Sequence, residues 1–134
     1  MDERRIEELI DAATQLVNAY GDTANHTVAA ATTTEQGRIF TSLNLYHFTG
    51  GPCAEVALLA RLASEGERPV ALVAVGDRDR GVLPPCGRCR QVIVDYFPEM
   101  QIVLSRDGGH IICSIRDLLP YSYIWNDQST EPTN

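Results

Sequence analysis

The sequence predicts an α/β fold, a three-layer α/β/α sandwich around a mixed five-stranded sheet. Three observations carry this reading. Apolar residues recur first at helical spacing and then in short β-rich runs, in the order αββαβαββ with a short C-terminal segment. One run, VALVAV at 70–75, is continuously apolar, the pattern of a strand covered on both faces. The strand–helix–strand succession favours parallel pairing, with crossovers that lay helices on the sheet.

Each element follows from local chemistry. Ile6, Leu9, Ile10, Ala13, Leu16, Val17 and Tyr20 recur at helical spacing and Gly21 follows as a C-terminal cap, which predicts an amphipathic first helix. Residues 28–34 and 38–46 are rich in Val, Thr, Ile and Leu around a turn at Gln36 and Gly37, which predicts a hairpin. From 53 to 64 the chain is apolar apart from Glu55 and Arg61 and stops at Gly66, so this helix reads as buried and central. After the strand at 70–75, Cys86, Cys89, Val92, Ile93, Tyr96 and Phe97 share one side of a helix that ends before Pro98. Residues 101–104 and 110–114 read as strands joined at Asp107, Gly108 and Gly109.

At 134 residues, with 44% hydrophobic and 22% charged side chains, the chain suits a single domain over 1–134, with a loose tail from about 127. No internal repeat, linker or low-complexity segment interrupts it. A formal charge of −7 argues against long nucleic acid, whose affinity rests on a basic face. No apolar run approaches the ~20 residues of a membrane span, and MDERRIEELI lacks the apolar segment of a signal peptide. The expectation is a cytoplasmic protein acting on a small molecule.

The chemistry concentrates in two clusters, Cys53-Ala54-Glu55 and Cys86-Gly87-Arg88-Cys89. Both fall where a strand ends and a helix begins, at neighbouring carboxyl ends of the sheet, where ligands bind in such folds. Three thiolates can hold one zinc ion and leave a tetrahedral position for water, and Glu55, two residues from a ligand, can move that water's protons. A zinc ion with three thiolates carries a net charge of −1, which opposes water activation. Two helix N-termini and Arg88, donating to a thiolate from behind the metal, are the candidates to offset it.

Other readings remain open at this point. A CxxC at a helix start also suits a redox pair, which would leave Cys53 and Glu55 without a role. A closed structural zinc site would need a fourth ligand such as Cys113, but Cys113 sits in an apolar run and reads as an inert thiol. His26 and His110 have no ligand-like context and read as surface or turn residues.

The CAE and PCGRC segments match the signature of the zinc-dependent nucleobase and nucleoside deaminases. Over GRIFTSLNLYHFTGGPCAE (37–55), GVLPPCGRCRQV (81–92) and LLPYSYIW (118–125), the chain resembles the cytidine deaminase superfamily, and within it the blasticidin S deaminase branch. The resemblance implies one zinc per subunit on Cys53, Cys86 and Cys89, attack of water at C4 of a cytosine ring, and Glu55 as the proton shuttle to N3 and then to the departing amine. It implies a homotetramer whose sites draw on more than one subunit, and a small cytosine nucleoside or analogue as substrate.

It also implies a sugar contact at Asn44 and pocket walls at Tyr46, Ala54, Pro84 and Trp125, with His47 and Phe48 as further wall candidates and Tyr123 near the mouth; Phe48 and Trp125 read equally as core or subunit-contact aromatics. Ordinary cytidine deaminases grip ribose with a Glu where this chain has Tyr46, and Ser42 and Pro84 also depart from the family pattern. Residues 44–52 are therefore expected to decide the substrate.

Overall fold

The computed structural model describes residues 1–124. Trp125 and the expected tail lie outside the described residues.

The first helix, α1 (Glu3–Tyr20), starts at Asp2, whose side chain accepts from the Arg5 amide. Glu3 in the first turn adds a favourable charge at that end. Ile6, Leu9, Ala13 and Val17 are buried. Tyr20, expected on the same stripe, is exposed because the last turn runs past the final buried position. Gly21 closes the helix with an extended backbone instead of the left-handed cap. Glycine suits the site for a different reason: a Cβ would lie 2.4 Å from the Val17 carbonyl oxygen.

The hairpin β1 (Val28–Thr34) and β2 (Ile39–Leu43) forms around the turn at Gln36 and Gly37, with β2 ending at Leu43 instead of continuing to 46, where the chain leaves the sheet into the pocket loop. Arg5 locks α1 to it, donating to Thr33 Oγ1 at 2.7 Å and to the Gly37 carbonyl. The next helix, α2 (Ala54–Glu65), runs from Cys53 at its N-cap to Gly66 in the left-handed conformation. It is amphipathic, not wholly buried. Ala54, Glu55, Leu58, Leu59 and Leu62 face inward, while Ala60, Arg61, Ala63 and Ser64 are exposed. Only one side of α2 meets the sheet, and Arg61 on the other side reaches back to the Thr41 carbonyl at 2.7 Å.

Strand β3 (Pro69–Gly76) is buried except at Val70. It is followed by β4 (Gly81–Leu83), which pairs antiparallel with its end and which the apolar pattern did not predict. Three residues are too few to show a period. Helix α3 (Gly87–Tyr96) starts from Cys86, and β5 (Gln101–Arg106), β6 (Gly109–Ser114) and the short α4 (Ile115–Leu118) complete the order.

Among the described residues the sheet therefore has six strands where five were expected. Its order is β2-β1-β3-β5-β6, with β4 on β3 off that path, and it is mixed: β3 and β5 pair parallel and the other pairs are antiparallel. Alternation along the strands separates two cores. Ala29, Ala31, Ala71, Val73 and Val103 pack with α1, while Ala30, Leu72 and Ile102 pack with Leu58, Leu62, Cys89 and Ile93 of α2 and α3. That is the three-layer arrangement, and it brings the starts of α2 and α3 together at one end of the sheet.

Candidate active site

Cys53 and Cys86 each occupy the N-cap of their helix, in extended backbone, and Cys89 lies one turn into α3. Their three sulfurs lie within 4.8 Å of one another, and Cys53 and Cys86 are 3.7 Å apart. Thiolates bound at 2.3 Å to a tetrahedral zinc stand ~3.8 Å apart, so the donor set fits that ion. Among the described residues no further His, Cys, Asp or Glu joins the group. Cys113 lies on β6 opposite Ile102, away from the group, so the closed four-ligand reading fails among these residues. Three protein ligands leave one position open.

The two helix starts do not act alike. Burial pushes the Cys86 thiol up, but the amides of Cys89 and Arg88, together with the neighbouring thiols, overcome it and the net shift is downward. Cys53 is raised, mainly by burial, and no amide of α2 offsets this. Cys89, fully buried, is raised by burial and by Glu55. The positive end of α3 therefore favours a thiolate at Cys86. The Arg88 side chain is exposed and no hydrogen bond or ion pair joins it to a described residue. At this point of the helix start its amide faces the sulfur while its side chain faces solvent.

Glu55, in the first turn of α2, is only 4% exposed. Burial raises its pKa, against the pull of its own amide and of the Cys89 thiol. A carboxyl raised by burial beside an open metal position is suited to taking and returning protons.

Above this group opens a pocket of about 380 Å³, within the range of small-ligand sites. Asn44, Tyr46, His47, Ala54, Glu55, Pro84, Cys53 and Cys86 all line it, so the structure gathers most of the residues singled out in the sequence. Phe48 does not line the pocket; it is 85% exposed and its ring lies tilted against His47 at 4.6 Å. Tyr123 does not line it either, and its carbonyl accepts from Gln91 at 2.9 Å. Trp125 falls outside the described residues.

Asn44 is held by the backbone around it. Its Oδ1 accepts from the amides of Thr27 at 2.7 Å and Val28 at 3.0 Å, and its Nδ2 donates to the Asn25 carbonyl at 3.3 Å. The oxygen is thus taken, and one amide hydrogen is left for a ligand. His26, read from sequence as a surface or turn residue, is half-buried and donates from Nδ1 to the Asn44 carbonyl at 2.8 Å.

Sequence reading did not anticipate Val28, Ala74 and Leu83 as walls, while Leu45, Gly50, Gly51 and Pro52 fall within the 44–52 segment expected to decide the substrate. A signal for part of this was present in Gly50-Gly51-Pro52. The loop closes on itself through Leu45 N–H to the Pro52 carbonyl at 3.1 Å and Gly50 N–H to the His47 carbonyl at 2.9 Å. A Cβ on Gly51 would lie 1.7 Å from the Leu45 carbonyl oxygen, so only glycine allows that closure.

Residues 3–104 match the family model described as the cytidine and deoxycytidylate deaminase zinc-binding region. The chain is 30% identical over 129 residues to a blasticidin-S deaminase from Bacillus cereus, covering 89% of this chain and 92% of that one. It is 30% identical over 115 residues to a cytidine deaminase from Halalkalibacterium halodurans, covering 83% and 87%. Among solved structures, a cytidine deaminase from Mycobacterium tuberculosis superposes with a TM-score of 0.72 at 32% identity, covering 88% of this chain and 96% of that one. One from Burkholderia pseudomallei gives 0.74 at 30% identity, covering 92% and 100%.

Proposed function

Because the chain belongs to the family of the cytidine and deoxycytidylate deaminase zinc-binding region, we propose that it hydrolyses the 4-amino group of a cytosine nucleoside or of a blasticidin S-like analogue. The observation that carries this is the open three-thiolate group beside buried Glu55 on the wall of a nucleoside-sized pocket.

Cys53, Cys86 and Cys89 would hold the zinc, which would supply the Lewis acidity that makes water a nucleophile near neutral pH. The Cys89 and Arg88 amides steady Cys86 as a thiolate. Glu55 takes a proton from the attacking water, delivers one to ring N3, and passes another to the leaving nitrogen as the C4–N bond breaks. Water and the amine become the C4 carbonyl and ammonia, so the atoms balance. Ala54, fully buried, and Pro84 wall the base, and Asn44 offers its remaining amide hydrogen to a sugar oxygen.

Tyr46 and His47 occupy the wall where a ribose-gripping carboxylate is absent, and this supports the blasticidin-like branch over plain cytidine. A zinc-loaded panel of cytosine, cytidine, deoxycytidine and blasticidin S tests the choice; faster turnover of cytidine would favour an ordinary cytidine deaminase. Glu55→Gln is expected to abolish turnover while keeping zinc, and full activity in that variant would sink the mechanism.

The apolar groove between α2 and α3, lined by Val56, Ala60, Ala63, Val92 and Phe97, supports self-association as a homotetramer. Light scattering tests it, a monomer being the contrary result. No described helix is long and apolar enough to cross a membrane. The cytoplasm is the proposed location, tested by fractionation.

A further inference from the structure

We infer that Arg80, on the turn between β3 and β4, is a positioning residue for the substrate pocket, acting through Thr27 on Asn44. The inference rests on the proposed nucleoside site but on different atoms.

Thr27 is the hub. Its amide donates to Asn44 Oδ1 at 2.7 Å, on the pocket side. Its carbonyl accepts from Arg80 Nη2 at 2.9 Å and from the Asp77 amide at 2.9 Å, on the far side. The same guanidinium donates to Asp77 Oδ1 from Nη2 at 2.9 Å and from Nε at 3.2 Å. One planar group thus bridges the β3–β4 turn and the peptide that enters β1, which a single-point ammonium cannot do.

Three further observations single out Arg80. Asp77 is 4% exposed and its Oδ2 has no hydrogen-bond partner among the described residues, so its carboxyl is held chiefly by Arg80; Arg78 reaches Oδ1 only at 3.5 Å and is mostly exposed. Gly76 makes room for the guanidinium, since a Cβ there would stand 2.8 Å from Arg80 Nε. Arg78 and Asp79 hold left-handed backbone, with φ of 52° and 55°, and the Arg80 amide donates to the Asp77 carbonyl at 3.1 Å, so a tight hairpin turn seats Arg80 beside Asp77.

This turn sets where β4 lies. Its register, Gly76 opposite Gly81 and Ala74 opposite Leu83, delivers Leu83 and then Pro84 to the pocket. Asn44 stands on another wall of the same pocket. Arg80 therefore ties two walls together without lining the pocket itself. The zinc-binding thiols and Glu55, on the starts of α2 and α3, are not among its partners.

Two variants test this. Arg80→Lys keeps the charge but loses the bridge, and Asp77→Asn with Arg80→Gln removes the pair without stranding a buried carboxylate. In both, KM for the best nucleoside of the panel is expected to rise about fivefold or more, with kcat within about twofold and zinc content unchanged. In an Asn44→Ala background, Arg80→Lys should raise KM little further, because Arg80 acts through that one contact. Hydrogen exchange over residues 25–28 and 44–47 should quicken about tenfold while α2 and α3 keep their protection. Unchanged KM and exchange in the folded double variant, or fully additive KM effects with Asn44→Ala, would overturn the inference. If wild-type protein turned over none of the four substrates, the proposed function would fail while the exchange experiment still decided the role of Arg80.

Discussion

Replacing Gly51 by alanine tests the geometry of the pocket loop most directly. The added Cβ would stand 1.7 Å from the Leu45 carbonyl oxygen, 2.8 Å from the Leu45 carbonyl carbon and 3.0 Å from the His47 nitrogen, all of them backbone atoms. A carbon and a carbonyl oxygen need ~3.3 Å, so the two limbs of the loop must separate by ~1.6 Å. The Leu45-to-Pro52 bond, now 3.1 Å, cannot survive that movement, and the Gly50 and Gly51 bonds to the His47 carbonyl belong to the same turn. Three bonds at ~0.5–1.5 kcal/mol each bound the folding cost at about 1.5–4.5 kcal/mol, with the lower half favoured because water reaches an exposed loop.

Function should suffer more than stability. The displaced segment leads through Pro52 into Cys53, and a shift of about 1 Å at a reacting site costs on the order of 10²-fold in rate. The assay is steady-state kcat/KM on the best substrate, with melting temperature and zinc content measured on the same preparations. Gly87→Ala is the control: it lies in the first turn of α3 beside Cys86, has open space around its Cβ and no positive φ. It should keep full activity and gain up to ~1 kcal/mol. If Gly51→Ala stayed within about threefold of wild-type kcat/KM, the loop closure described here would be refuted.

Other expectations follow from the same contacts. Leu58→Ala, at a fully buried position between α2 and the sheet, should cost about 2–5 kcal/mol in denaturant unfolding, and a loss below about 1 kcal/mol would contradict the packing. Chelation of zinc should lower the melting temperature, because the ion joins the starts of α2 and α3, and added zinc should restore it; an unchanged melt would show that the thiols hold no structural metal. Asp22 Oδ1 accepts from the amides of Ala24, Asn25 and His26, and these, led by the His26 amide, hold its pKa down to about 2 from 3.8. A depressed carboxyl stabilises the fold above its unfolded value, so its contribution is complete above 3.8 and lost as pH falls through about 2. A carboxyl titration by NMR with a midpoint at or above 3.8 would refute this turn.

Much of the molecule was legible in its residues. The stripe from Ile6 to Val17, the hairpin at 28–43 and the apolar run at 70–75 each report a local environment, one face buried or both, and periodicity reads that directly. The cysteine spacing carried the metal group for a similar reason: ligand chemistry restricts residue type more strongly than packing does. The misses share a cause as well. Val56, Ala60 and Ala63 made α2 look buried all round, because composition cannot tell a face that meets the sheet from one that lines a surface groove. Strand β4 is held by pairing with β3 and has too few residues to show a pattern of its own.

The sequence alone determined the candidate metal group and the layer architecture, since thiol spacing and the periods of burial are local properties of the chain. Only the tertiary structure decided that Cys53 and Cys86 meet at 3.7 Å, that amides of α3 rather than the Arg88 side chain favour the Cys86 thiolate, and that Asn44 is held through Thr27 by Arg80. Each of these depends on groups brought together from separate elements. Hydrogen bonding and desolvation act over a few ångströms of space, whatever the distance along the chain.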